Sequence, residues 1–211
     1  MKLSLSLDIA ASGTASEPIA SFRDRCAQIE AARPDFVILA HEGETGQIAP
    51  PRLEALVNAA WITGIIKTPC VVAGLPGLHS IPFHVARALS AIDFLSGDRS
   101  GWMPLVAEAA RFDTAYGATL AGIDPAEAVA RQDDFIRATQ ALWDSWDDDA
   151  LILNKESGEY LDSTKVRRVD YRGPFYKTMG PLNAARPPQG YPLLFRDADA
   201  VQGSTVRADV A

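Results

Sequence analysis

The stretch IPFHVARALSAIDFLSGDRSGWM, residues 81–103, is where the fold of this chain is decided. Phe83, Ala86, Leu89, Ile92 and the pair Phe94 and Leu95 recur near helical spacing, behind a proline at position 82. Gly97 closes the helix, and an apolar strand begins at Trp102. A helix that runs into a strand across so short a corner is half of a βα unit. The corner itself, LSGDRSGW (95–102), is either a turn and nothing more or the entrance to a site at a strand end.

Working outward, the unit repeats. Upstream, TPCVVAGL (68–75) reads as a strand, PRLEALVNAAWITGI (51–65) as a helix opened by a proline, and PDFVILA (34–40) as a buried strand. Before them, EPIASFRDRCAQIEAA (17–32) places Ile19, Phe22, Cys26 and Ile29 on one helical face, and KLSLSLDI (2–9) is a first strand. Downstream, GWMPLVA (101–107) is a strand, and DPAEAVARQDDFIRATQALWDSW (124–146) is the longest helix. Asp124 is its N-cap, Pro125 its first helical residue, and Glu127 lies three places beyond the cap. Residues 147–190 break the alternation with a long polar insertion holding a short hairpin around Gly173, and YPLLF (191–195) returns to the sheet. Strands alternating with helices predict an α/β domain with a parallel sheet and right-handed crossovers. An open doubly wound sheet and a (β/α) barrel both satisfy this pattern. No linker divides residues 1–211, and RDADAVQGSTVRADVA (196–211) has room for one more short strand but not for the rest of eight βα units.

Composition narrows the partners. With 47% hydrophobic and 22% charged residues, the 211 residues have the make-up of one globular domain with a sizeable core. A formal charge of −7 argues against nucleic acid and anionic lipid surfaces, leaving small molecules or proteins. No apolar run approaches the roughly 20 residues that cross a bilayer, and MKLSLSLDIAASG lacks an h-region, so a cytoplasmic location is expected. Cys26 and Cys70 show no CxxC spacing and read as reduced core residues rather than a disulfide or zinc site.

Common catalytic signatures are absent: no GxGxxG, GxxxxGK[ST] or HExxH occurs, and GDRSG places its serine one position too late for GxSxG. His41 and His79 follow strand ends, where barrel enzymes carry their chemistry, and are the candidate catalytic residues. His84, at a helix start, suits packing or capping. Asp144, Asp147, Asp148 and Asp149 read as a solvated face, not a cation site, and Trp61, Trp102, Trp143 and Trp146 as core or rim.

Three longer motifs carry more. IPFHVARALSAIDFLSGDRSGW (81–102), ATQALWDSWDDDALILNKESGEYLDSTKVRRVDYRG (138–173) and FYKTMGPLNAARPPQGYPLL (175–194) resemble, in order and spacing, the luciferase-like flavin-dependent monooxygenases. The similarity is to the branch acting on nitrilotriacetate, dibenzothiophene sulfone and the pristinamycin precursor, and it runs from about residue 34 to 195. The resemblance implies a TIM-like barrel, here incomplete, in a family that takes reduced FMN from a separate flavin reductase and uses it with oxygen on a small organic substrate.

Carried over residue by residue, it also implies an altered pocket. Trp102 and His84 are retained, and LSGDRSGW matches the corner that leads to the flavin. Met103 stands where the family has Asn, Val106 and Ala107 where it has hydroxyl residues, and Gly74 where it commonly has Thr. The small, hydroxyl-rich phosphate turn of the family is matched by RDADA, so Asp197 and Asp199 oppose a phosphate while Arg196 compensates in part. The expectation is weak FMN binding by a non-catalytic partner or ligand-binding homologue, paired with itself or with a longer family member. The alternative is a compact two-component monooxygenase. An unfinished barrel wall further predicts that the C-terminal segment or another subunit covers a strand edge.

Overall fold

In a computed structural model the described residues are 4–7, 17–39, 54–106, 120 and 122–210, with side chains from residue 22 onward. Five strands form one parallel sheet: β1 (Ser4–Leu7), β2 (Phe36–Leu39), β3 (Cys70–Pro76), β4 (Ser100–Leu105) and, after a long excursion, β7 (Leu193–Leu194). Their spatial order is their chain order, each connection stepping one place the same way. A doubly wound sheet reverses at a switch point; a (β/α) barrel does not. The described sheet is therefore an incomplete barrel wall. Residues 209 and 210 extend it, Val210 bridging Phe195 in parallel with Asp209 N–H donating to Leu194 O at 2.9 Å. The expected cover over a strand edge is thus supplied at β7 by the C-terminal segment.

Helices α1 (Glu17–Ala32), α2 (Ala55–Ile62), α3 (Pro82–Ser96) and α4 (Pro125–Trp143) accompany the strands. Strand alternation sorts the sheet into two faces. Val37, Leu39, Val71, Ala73, Leu75, Trp102 and Leu194 share one cluster with Phe22, Cys26, Ile62, Leu89, Phe135 and Trp143 of the helices. Phe36, Val72 and Phe195, with Ile38, Cys70, Met103 and Leu193 against them, form a second cluster on the inner face. Each large apolar side chain buried this way contributes about 1.5 to 3 kcal/mol, so the helix-side cluster carries most of the stability.

The local signals explain most boundaries. Asp124 caps α4 by accepting from Ala126 N at 2.9 Å and Glu127 N at 3.2 Å, and Gly97 ends α3 at φ 64°. In α2 the expected proline start gives way to a later one: the helix begins at Ala55, where the Glu54 carboxylate accepts from Val57 N at 2.7 Å. The insertion is more than a polar loop. It holds the antiparallel hairpin of β5 (Asp170–Arg172) and β6 (Lys177–Met179) around Gly173, and it buries Trp146, Ala150 and Leu182. Trp146 Nε1 donates to Leu182 O at 2.8 Å, and Leu182 N to Ser145 Oγ at 3.0 Å, fastening the excursion beneath α4.

Candidate functional site: the mouth of the barrel wall

Parallel strands have two unlike ends. The αβ corners lie at the N-terminal end, and this end is closely tied. Arg99 Nη1 donates to Pro69 O at 2.9 Å, the Glu30 carboxylate accepts from Lys67 N at 2.9 Å, and buried Asp93 accepts from Ser100 Oγ at 2.7 Å and Gln189 N at 2.9 Å. LSGDRSGW belongs here. Its corner turns through Gly97 and Asp98, at φ 64° and 62°, into the start of β4, roughly 17 Å from that strand's other end. The resemblance places this corner on the way to the flavin; in the fold it lies at the N-terminal end of β4, tied to its neighbours.

The other end carries the βα connections, of which the one after β3 is described throughout. After β3, Gly77 N donates to Leu105 O at 3.2 Å, and a Cβ on Gly77 would stand 3.0 Å from the Pro104 Cβ, so glycine allows this loop to lie on the end of β4. His79 follows, half-buried, its N–H donating to Pro76 O at 3.1 Å. His41 and Ala107 lie outside the described residues. His84 is exposed on α3. On the inner face, Gly74 and Met103 are register partners and meet side by side, with half-buried Val106 just past the strand. Trp102 is not with them. One residue from Met103, it points to the helices, fully buried, 5.7 Å from the Trp143 ring centroid, with its Nε1 lacking a hydrogen-bond partner among the described residues. Neighbouring residues of a strand cannot line one pocket, so Trp102 supports the wall from behind.

Arg196 departs most from expectation. It follows β7 at the mouth, but its guanidinium turns inward and its side chain is 1% exposed. Nη1 donates to Asp133 Oδ1 at 2.8 Å and to Val206 O at 3.2 Å, and also reaches Ser204 Oγ; Nη2 donates to Gln132 Oε1. Gln132 Nε2 in turn donates to Pro104 O at 2.6 Å, joining the ends of β4 and β7 through α4. Asp133 also accepts from Ser204 Oγ at 2.7 Å, Thr205 N at 2.7 Å and Thr205 Oγ1 at 2.9 Å. Burial alone pushes its carboxyl up, and the bonds from Thr205, Ser204 and Arg196 outweigh this, holding it below the ordinary range. Asp197 and Asp199 stay exposed, the first accepting from the N–H of the second at 3.0 Å.

A second buried carboxylate, Asp134, faces the hairpin. It accepts from Phe175 N at 2.8 Å, Tyr176 N at 2.7 Å and Tyr171 Oη at 2.5 Å, while Tyr176 Oη reaches Leu78 O at 3.2 Å in the mouth loop. Gly173 is required beside it, since a Cβ there would stand 1.9 Å from Asp134 Oδ1. Asp144 and the DDD run are paired at the surface: Asp144 and Asp148 with Arg186, half-buried Asp147 with Arg167, Asp149 with Lys165. Among the described residues no three metal-ligating side chains cluster, and no helix is long and apolar enough to cross a membrane. Both cysteines are free, and burial pushes the Cys26 thiol up to about 11 and that of Cys70 up to about 12.

A parallel sheet stepping one way, helices on its outer face and a mouth at the C-terminal strand ends define the TIM-barrel class. No family model matches the chain. It is similar to dibenzothiophene-sulfone monooxygenase of Rhodococcus erythropolis, 37% identical over 73% of this chain and 33% of that protein. It is also similar to a component of pristinamycin IIA synthase from Streptomyces pristinaespiralis, 30% identical over 78% of this chain and 53% of that one. Among solved structures, riboflavin lyase with modified FMN and substrate riboflavin is 28% identical with a TM-score of 0.77, covering 95% of this chain and 52% of the lyase. The chain belongs to the luciferase-like flavin-dependent monooxygenase family, and it spans a third to a half of the length of these relatives.

At β7 the Arg196 cation is committed to Asp133, and the carboxylates of Asp197 and Asp199 flank the turn. On the inner face, Met103 packs against the apolar cluster of Phe36, Val72 and Phe195 beside Gly74.

Proposed function

We propose that this chain is a family member with a degenerate FMN site, acting as a non-catalytic partner or as a binder of another small molecule. One observation carries the reading: the Arg196 guanidinium is buried against Asp133, so it does not face a phosphate at the end of β7. Each hydrogen bond to a charged group that the site fails to make forgoes about 1.5 to 3 kcal/mol, and the two exposed carboxylates add repulsion. The inner face of the sheet is apolar, which suits pairing with a second copy or with a longer family member, whose own flavin and reductase would then supply the chemistry. The net charge of −7 keeps nucleic acid and anionic membrane surfaces out of this reading.

The alternative, a compact two-component monooxygenase using reduced FMN and oxygen, draws support from the relatives, since the dibenzothiophene-sulfone enzyme is named a monooxygenase. The visible absorption spectrum of the purified protein, before and after FMN addition and gel filtration, separates the two. A colourless protein that does not retain added FMN, and shows no turnover with a flavin reductase, is expected. Flavin retained through purification would transfer the proposal to the alternative.

A further inference from the structure

The donors around Asp133 form a set larger than a structural ion pair needs. A guanidinium, two hydroxyls and a backbone N–H converge on one carboxylate, two on each oxygen: Arg196 Nη1 and Ser204 Oγ on Oδ1, Thr205 N and Thr205 Oγ1 on Oδ2. Ser204 and Thr205 follow Gly203, which at φ 83° turns the chain so that both can face α4. Val206 N donates to Ser204 Oγ at 3.0 Å and fixes that hydroxyl's direction. Arg196 Nε is buried with no partner among the described residues, so the donors outnumber what the carboxylate uses. Guanidinium, hydroxyl and backbone donors in one concavity are what proteins use to hold small oxyanions. The Gly-Ser-Thr turn, seven to nine residues after Arg196 in sequence, supplies two hydroxyls where RDADA has none.

We propose that Arg196, Ser204 and Thr205 form an oxyanion-binding nest that the chain fills with its own carboxylate, Asp133. The ligand class is a small carboxylate, or an oxyanion of similar reach, and the native chain is closed to it because α4 already provides one. The inference deepens the functional reading and rests on it at one point, that Arg196 is unavailable to a cofactor phosphate.

The test replaces the internal ligand with an external one. Asp133→Ala removes a carboxylate and leaves a hole of formate's shape. Thermal unfolding of Asp133→Ala in sodium formate is compared with sodium chloride at equal ionic strength. At ten times the formate dissociation constant its Tm should rise by about 3 to 6 °C over the chloride value. The native chain should show no difference between the salts. Adding Ser204→Ala and Thr205→Val to Asp133→Ala should weaken the formate response by about tenfold or more. If Asp133→Ala does not fold in chloride, refolding from urea is followed in both salts for it and for Asp133→Asn, which keeps the side-chain shape; recovery of Asp133→Ala in formate alone supports the nest. Equal behaviour in the two salts, or a formate response that survives loss of both hydroxyls, overturns it. A formate response beside tight, phosphate-dependent FMN binding by the native chain leaves the nest standing and removes the functional reading. No formate response, with FMN and riboflavin bound alike, does the reverse.

Discussion

Asp133 and Asp134 are neighbours on α4, both buried, yet they hold two different regions by different physics. Asp133 secures residues 196–206 through a cation and hydroxyls, whereas the described partners of Asp134 in the hairpin are two backbone N–H groups and a phenol. A buried ion pair is costly to break because the surviving charge is stranded. A carboxylate met by neutral donors strands only dipoles. The difference teaches where the mouth is rigid: the end of β7 is locked by charge, and the mouth loop after β3 is held by the hairpin through Tyr176.

The largest expected effect breaks the charged side. Asp133→Ala leaves Arg196 buried and unpaired, which should cost about 3 to 5 kcal/mol and lower the Tm by about 10 °C in thermal unfolding. A loss below about 1 kcal/mol, the size of an exposed pair, would erase the contrast. On the other side, Asp134→Ala leaves Phe175 N, Tyr176 N and the Tyr171 hydroxyl without their acceptor, at about 1 to 3 kcal/mol. Hydrogen exchange should speed up at the 175 and 176 amides while the amides of β4 keep their protection.

The pH responses sharpen the comparison further. The Asp133 carboxyl is depressed in the fold, so its contribution is fully present above the unfolded value near about 4 and is lost as pH falls through the lower folded one. The hairpin phenols respond oppositely. Burial, then the bond to Asp134, pushes Tyr171 up to about 12, and burial pushes Tyr176 up to about 12. A raised group stabilises below its unfolded value, near about 10 for tyrosine, and loses that contribution as pH climbs to the folded value. Urea unfolding across about pH 9 to about 12 should therefore show a stability loss that Tyr176→Phe makes shallower. The smallest effect is Tyr176→Phe at neutral pH, about 0.5 to 1.5 kcal/mol, from its lost bonds to the mouth loop.

Much of the fold was legible in the sequence because it is written in local chemistry. Asp124-Pro125 starts a helix, Gly97 stops one, and Gly173 marks a hairpin, each for reasons confined to a few residues. The choice between barrel and doubly wound sheet needed the strand order, which periodicity does not encode. The site was less legible. Sequence reading grouped Trp102 with Met103, although strand alternation separates them, and it aimed Arg196 outward because its partner lies 63 residues earlier. A signal existed: Val129, Gln132, Asp133 and Ile136 share a helical stripe, so two adjacent polar residues interrupt apolar neighbours on one buried face. Polar residues there call for a buried partner, and Arg196 is the one that answers.

The proposal that the end of β7 does not recognise a phosphate stands or falls on the ratio of riboflavin to FMN dissociation constants for the native protein. Calorimetric or fluorescence titration of both flavins at one ionic strength gives that ratio without requiring turnover. Weak binding of both and a ratio within about threefold of one are expected, since a phosphate without a charged partner adds under about 1 kcal/mol. Micromolar FMN binding with a preference of about a hundredfold or more over riboflavin, on the order of 3 kcal/mol in favour of the phosphate, would contradict it.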